Sequence, residues 1–133
     1  MPDCVTDTHA LIWYLEASPR LSETAKQIFE ACDRGQVIIY VPTICLVEMI
    51  YLAEKGRIPA PLVEQFIHAL LQGETGLVPM SLTEEVAIAL PRIPRAQVPD
   101  LPDRIIAATA LVLGLPLMSR DRQILLSEVE TIW

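Results

Sequence analysis

Four acidic residues, Asp7, Glu48, Asp103 and Asp121, are spaced along the chain in settings that suit metal chemistry. Hard cations such as Mg²⁺ and Mn²⁺ take oxygen ligands, and Mg²⁺ keeps several waters while binding through few carboxylates. Two such ions activate an attacking water and stabilise the leaving oxygen of an in-line displacement. Four carboxylates without a His or Cys cluster fit that chemistry and fit zinc poorly. The expectation is a divalent-metal site that cuts a phosphodiester. Thr8 and Ser119 each lie beside an acid and are candidates for hydrogen bonds to ligands or waters.

Each acid also has a plainer explanation. Asp7 suits the N-cap of the helix that follows it, and Asp121 suits the cap of a short helix after Ser119-Arg120. In Asp100-Leu101-Pro102-Asp103, Asp100 suits the N-cap, Pro102 the first turn and Asp103 position N3. Acids there also complement the helix dipole, worth about 0.3–1 kcal/mol each. Glu48 is harder to explain locally. It lies within Ile44-Cys45-Leu46-Val47-Glu48-Met49-Ile50-Tyr51-Leu52, and a charge amid apolar surface is costly unless paired or metal-bound. The competing reading is a narrow polar stripe with Thr43 and Lys55.

Alternating strands and helices position these residues. Cys4-Val5-Thr6 reads as a first strand and Thr8 to Leu15 as its helix. Ser22 caps a helix to about Arg34, stopped by Gly35, and Val37 to Val41 is an apolar run suited to a buried parallel strand. Helices follow from Pro42-Thr43 through Lys55 and from Ala60 to Gln72, then a strand from Leu77 to Ser81. Thr83 caps a short helix ended by Pro91. Asp100 to Leu113 is a strong helix closed by Gly114, Leu115 to Ser119 a strand, Asp121 to Leu126 one or two helical turns, and Val129 to Trp133 a last strand. Such alternation predicts an α/β fold with a mostly parallel sheet, helices on both faces, and right-handed crossovers. Ligands in such folds gather at the carboxyl ends of the strands, where all four acids are candidates.

The chain has 133 residues, 52% hydrophobic and 20% charged, which suits one compact domain over 1–133 and not disorder. No uncharged stretch is long enough for a membrane helix, and Met1-Pro2-Asp3 lacks the basic start of a signal peptide. Cys4, Cys32 and Cys45 have no metal-binding spacing and read as reduced thiols in a cytoplasmic protein. A net charge of −7 runs against the basic excess usual for nucleic-acid binding. Cations bound to a carboxylate site reverse its local sign, which softens that objection.

Four segments, in order, resemble the motifs of PIN-domain ribonucleases. Val5-Thr6-Asp7-Thr8-His9-Ala10-Leu11-Ile12-Trp13-Tyr14-Leu15 is similar to the opening of that family, and Pro42-Thr43-Ile44-Cys45-Leu46-Val47-Glu48-Met49 to its second motif. Asp100 to Ala110 (DLPDRIIAATA) resembles the third and most specific, and Leu117-Met118-Ser119-Arg120-Asp121 the fourth. The resemblance spans the chain. It implies a three-layer α/β/α fold and a Mg²⁺- or Mn²⁺-dependent endoribonuclease that resembles the toxins of VapC-type toxin–antitoxin pairs. A homodimer and a cognate antitoxin are implied with it. By motif, Asp7, Glu48, Asp103 and Asp121 take the acidic-quartet role, and Asp100 matches a frequent extra acid. Cys45 stands where a Ser is common in relatives.

On this reading Asp7, Asp103 and Asp121 hold the metal, Glu48 completes the site directly or through water, and hydrolysis leaves 5′-phosphate and 3′-hydroxyl ends. Arg104, Arg120 and Arg122 are candidates for RNA phosphates or ion-pair partners. His9 reads first as a locally satisfied helix residue, His68 as structural, and Trp13 and Tyr14 as core or dimer-interface aromatics rather than a base-stacking platform. The helix Ala60 to Gln72 and the one before it offer apolar faces for a partner. Three rivals remain open: an inactive PIN-like binding module, a housekeeping RNA-processing nuclease, and a phospho-receiver. The last needs a late lysine, and the lysines are Lys26 and Lys55.

Overall fold

The computed structural model describes residues 1–121, 124 and 128–133. Its sheet is formed by β1 (Cys4–Thr6), β2 (Ile39–Pro42), β3 (Leu77–Met80), β4 (Leu117–Met118) and β5 (Thr131–Ile132). The helices are α1 (Thr8–Leu15), α2 (Glu23–Asp33), α3 (Thr43–Glu54), α4 (Ala60–Gln72), α5 (Glu84–Ala89) and α6 (Leu101–Leu113). A 3-10 turn, Leu90–Arg92, follows α5. Every strand pair is parallel, in the order β3-β2-β1-β4-β5, and the helices cover the sheet as a three-layer α/β/α fold. The sequence reading of a mostly parallel sheet therefore becomes an entirely parallel one among the described strands.

The strands begin later than the apolar runs do, for a hydrogen-bonding reason. The Ile38 amide donates to the Asp3 carboxylate at 2.8 Å, so the β2 ladder opens only at Ile39. The Leu115 amide is held by Ala110 O at 3.1 Å in the closing turn of α6, where Gly114 supplies the left-handed conformation (φ 66°). β4 is accordingly just Leu117–Met118. Pro79 is tolerated in β3 because that strand lies at the sheet edge. Pro91 does not end the helical path outright but tightens it into the 3-10 turn. The helix expected from Asp121 to Leu126 lies largely outside the described residues.

The core is built where strand alternation and helical stripes meet. Cys4, Val5, Ile39, Val41, Leu117 and Met118 are fully buried from the sheet, with Leu11, Phe29, Met49 and Ile106 pressed against them from four helices. Burying side chains of this size contributes about 1.5–3 kcal/mol each. The order runs outward from β1 through β2 to β3 on one side and through β4 to β5 on the other. That reversal opens a crevice at the carboxyl ends of β1 and β4. α6 leads back into β4 from the opposite direction, so its N-terminus reaches the same rim.

Candidate active site

Asp7 comes straight out of β1. Its backbone is extended, its amide still donates to Met118 O at 3.2 Å, and its Oδ1 accepts from the Ala10 amide at 2.8 Å as the N-cap of α1. The Ser119 side chain, arriving from β4, is close enough to favour the ionised form of the carboxyl group. Asp7 is 9% exposed. Burial raises its pKa; Ser119, the Ala10 bond and nearby His9 oppose the rise, and the charge of Asp121 adds to it. The cap role and the rim position thus coexist in one residue.

Glu48 sits on α3, which springs from β2. Its Oε1 accepts from the hydroxyl of Thr8 at 2.5 Å, a buried group that ties the first turn of α1 to α3. Burial raises the pKa of Glu48 first; the Thr8 bond lowers it, and the charges of Asp100 and Asp7 raise it further. Its apolar sequence setting has a different origin from the one expected. Cys45 and Met49 are buried, but Val47, Ile50 and Tyr51 are 59%, 43% and 50% exposed. α3 is apolar on both faces, and Glu48 is half-buried between them.

Asp103 occupies N3 of α6, with its amide bonded to Asp100 Oδ2 at 3.1 Å. Its carboxyl pKa is pushed up to about 7, by burial first and then by the charges of Asp100, Asp121, Glu48 and Asp7. A shift of this kind at a cleft marks a functional-site candidate. Asp121 follows β4, its amide donating to Ser119 Oγ at 3.0 Å. Ser119 thus holds the backbone of Asp121 beside Asp7, and like Thr8 it is buried. Asp100 is exposed and caps α6, so its charge acts on the group without belonging to its interior.

Among the described residues, no set of three or more His, Cys, Asp and Glu side chains forms a ready-made metal cage. Mg²⁺ needs few protein carboxylates and completes its shell with water, unlike the closed tetrahedral site that zinc takes. Burial and neighbouring charge raise the pKa values of Asp7, Glu48 and Asp103, an arrangement that a divalent cation relieves.

The basic candidates separate. Arg104 Nε donates to Ile93 O at 3.0 Å and its Nη2 to Leu90 O at 3.1 Å, so its guanidinium is spent holding the 3-10 turn against α6. Arg120 is exposed, with its guanidinium 5.8 Å from the centroid of the Trp13 ring. Arg122 lies outside the described residues. His9 is exposed and close enough to Asp7 and Glu48 to favour their ionised forms. His68, read as structural, is an exposed residue of α4. Cys45 is wholly buried beneath the acids; its thiol lies 3.8 Å from Thr6 O, and desolvation pushes its pKa far up. Trp133 was not a sequence-level candidate, although its place just past β5 marks the same rim.

The domain model described as "PIN domain" matches residues 4–130. Ribonuclease VapC22 of Mycobacterium tuberculosis is 30% identical over 124 residues, 93% of this chain and 91% of that one. A solved toxin–antitoxin complex from Klebsiella pneumoniae contains a chain with TM-score 0.68 and 24% identity, covering 98% of this chain and 96% of its own. The VapBC2 complex of Rickettsia felis, solved on a DNA fragment from its promoter, gives TM-score 0.71 at 12% identity, covering 98% and 97%. At such identities the two structures establish the fold.

Proposed function

The chain belongs to the PIN-domain family, and from that premise we propose that it is a divalent-metal-dependent endoribonuclease acting as the toxin of a toxin–antitoxin pair. The observation that carries the reading is Asp103, whose carboxyl feels the charges of Asp7, Glu48, Asp100 and Asp121 together. The names of its relatives, a ribonuclease and members of toxin–antitoxin complexes, point the same way.

Asp7, Asp103 and Asp121 would hold Mg²⁺ or Mn²⁺, with Glu48 completing the site directly or through water. The bound ion supplies Lewis-acid activation of the attacking water and neutralises charge on the leaving oxygen. The chain's own work is orientation. The Ala10 amide fixes the Asp7 carboxylate, and Thr8 fixes Glu48. Cleavage on this scheme leaves 5′-phosphate and 3′-hydroxyl ends.

An antitoxin and a second copy of the chain are the proposed protein partners, in a cytoplasmic setting. α3 and α4 carry the exposed apolar residues Val47, Ile50, Tyr51 and Leu71. Between these helices lies a cavity of about 350 Å³ lined by Ile50, Ala53, Ala60, Val63 and Ile67. Apolar patches of this sort mark partner surfaces. No helix among the described residues is long and apolar enough to cross a membrane.

The deciding experiment is end-mapped RNA sequencing after induction of the wild type and of Asp7→Asn. New RNA ends are expected with the wild type alone, together with EDTA-sensitive cleavage in vitro; identical ends in both strains would refute the nuclease reading. The inactive-module alternative predicts no cleavage with any metal. A housekeeping nuclease predicts cleavage without a short antitoxin-like reading frame beside the gene.

A further inference from the structure

We propose that His9, Trp13, Arg120 and Trp133 form a stacking platform for an unpaired nucleobase adjoining the phosphodiester that is cut. The proposal rests on the ribonuclease reading above and adds a substrate-binding subsite to it. Trp13 is the hub. Its ring lies 5.8 Å from that of Trp133 in an edge-to-face arrangement (66°) and 5.7 Å from the His9 imidazole (44°), with the Arg120 guanidinium 5.8 Å from its centroid.

These side chains come from three separate stretches that the sheet brings to one rim. His9 and Trp13 are a turn apart on α1, Arg120 follows β4, and Trp133 follows β5. β4 and β5 pair in register, and the Ser119 amide donates to Ile132 O at 3.1 Å, which sets Trp133 beside the Ser119–Asp121 segment. The same rim carries the acids: His9 is two residues from Asp7, and Arg120 stands between Ser119 and Asp121 in the chain.

Core packing accounts for only part of the group, through Trp133, which packs against the core. Both indoles are only half-buried, and His9 and Arg120 are exposed. Tyr14, adjacent to Trp13 in sequence and half-buried like it, is engaged differently: its ring stacks on Phe29 at 4.4 Å and its hydroxyl donates to the Asp33 carboxylate. The sequence expectation makes Trp13 and Tyr14 core or dimer-interface aromatics; Tyr14 packs against the core, and for Trp13 the base platform is offered in place of that expectation. An arginine over an indole offers a flat cationic face, which suits a base together with its phosphate. In a chain of net charge −7 with ten Lys and Arg residues, it also places positive charge where RNA must approach a carboxylate site.

Chain composition supplies the test. Trp13 and Trp133 are the two tryptophans of the protein, so intrinsic tryptophan fluorescence reports on this cluster alone. The titration uses the whole protein with Ca²⁺ in place of Mg²⁺. The probes are a mixed-sequence single-stranded octaribonucleotide and an abasic ribose-phosphate oligomer of equal length. The octamer is expected to quench the tryptophans and to bind about tenfold more tightly than the abasic oligomer. Trp133→Leu, checked for native circular dichroism, should lose that advantage while binding the abasic oligomer as the wild type does; Trp13→Phe, which keeps a ring, should retain most of it.

Equal affinity for both oligomers, or an unchanged octamer affinity in Trp133→Leu, overturns the platform. So does fluorescence that ignores RNA and follows protein concentration, which assigns the cluster to a subunit interface. Mg²⁺-dependent cleavage of the same octamer is scored separately. Cleavage without base-dependent quenching rejects the platform alone, whereas quenching without cleavage supports it and rejects the nuclease reading.

Discussion

Asp103 is the residue at which structure and chemistry are most directly opposed. Its carboxyl pKa stands near 7 in the folded chain against an ordinary 3.8. Between those values the folded state holds a proton that the unfolded state has lost. Its favourable contribution is therefore intact below about pH 4 and disappears as the pH rises through about 7. Metal-free protein is expected to lose thermal stability over that interval. Asp103→Asn, read by melting curves at pH 5 and 7.5 in EDTA, should flatten the pH dependence and raise Tm at pH 7.5 by about 2–4 °C. The same variant should cut RNA at least about 100-fold more slowly with Mg²⁺, since even outer-shell changes at metal sites cost 10–100-fold. A variant both less stable and fully active would contradict the assignment.

The elements explain how these residues reach one rim. α6 is fixed at its start by Asp100 and Pro102 and pinned to the preceding turn by Arg104. Hydrogen bonds made by a charged group contribute about 1.5–3 kcal/mol. Arg104→Ala should thus lower stability by about 2 kcal/mol in urea denaturation, with KM for RNA unchanged in the folded fraction; a raised KM would restore the phosphate-contact role considered from sequence. A second control point lies far from the acids. Gly76 precedes β3, its carbonyl accepting from Ile39 and its amide donating to Cys32 O. A Cβ there would meet Val37 O at 2.0 Å. Gly76→Ala must displace backbone where β2 and β3 join, and is expected to leave the chain largely insoluble or to cut stability by more than about 3 kcal/mol. Soluble yield and denaturation midpoint measure it.

At the scale of the molecule, the reversal of strand order between β1 and β4 collects residues more than a hundred positions apart. The acids converge only when the sheet forms, so a cation that bridges them binds the folded chain and not the unfolded one. Saturating Mg²⁺ or Mn²⁺ at about 100 times its dissociation constant should add about 2.7 kcal/mol, reversed by EDTA and absent from Asp103→Asn. Calorimetry with and without metal tests this. If metal left Tm unchanged in the wild type, the carboxylates would have to be stabilised by some other means.

Much of this was legible in the sequence because it depends on local chemistry. Hydrophobic period, caps and glycine stops gave α1 and α4 to the residue and α6 to within one, and placed Asp7 and Asp103 at helix starts, because each signal acts within one turn. The four motifs pointed to the family for the same reason. Strand limits were not legible, since the Asp3 side chain and the α6 closing bond claim the amides of Ile38 and Leu115. Nor could the sequence tell Trp13 from Tyr14, as their fates rest on Trp133, Arg120 and Phe29, none of them a near neighbour. The chain itself determined which residues could act and on which kind of element they stand. Tertiary structure alone decided which of them meet, because pairing across parallel strands links positions that no local interaction connects.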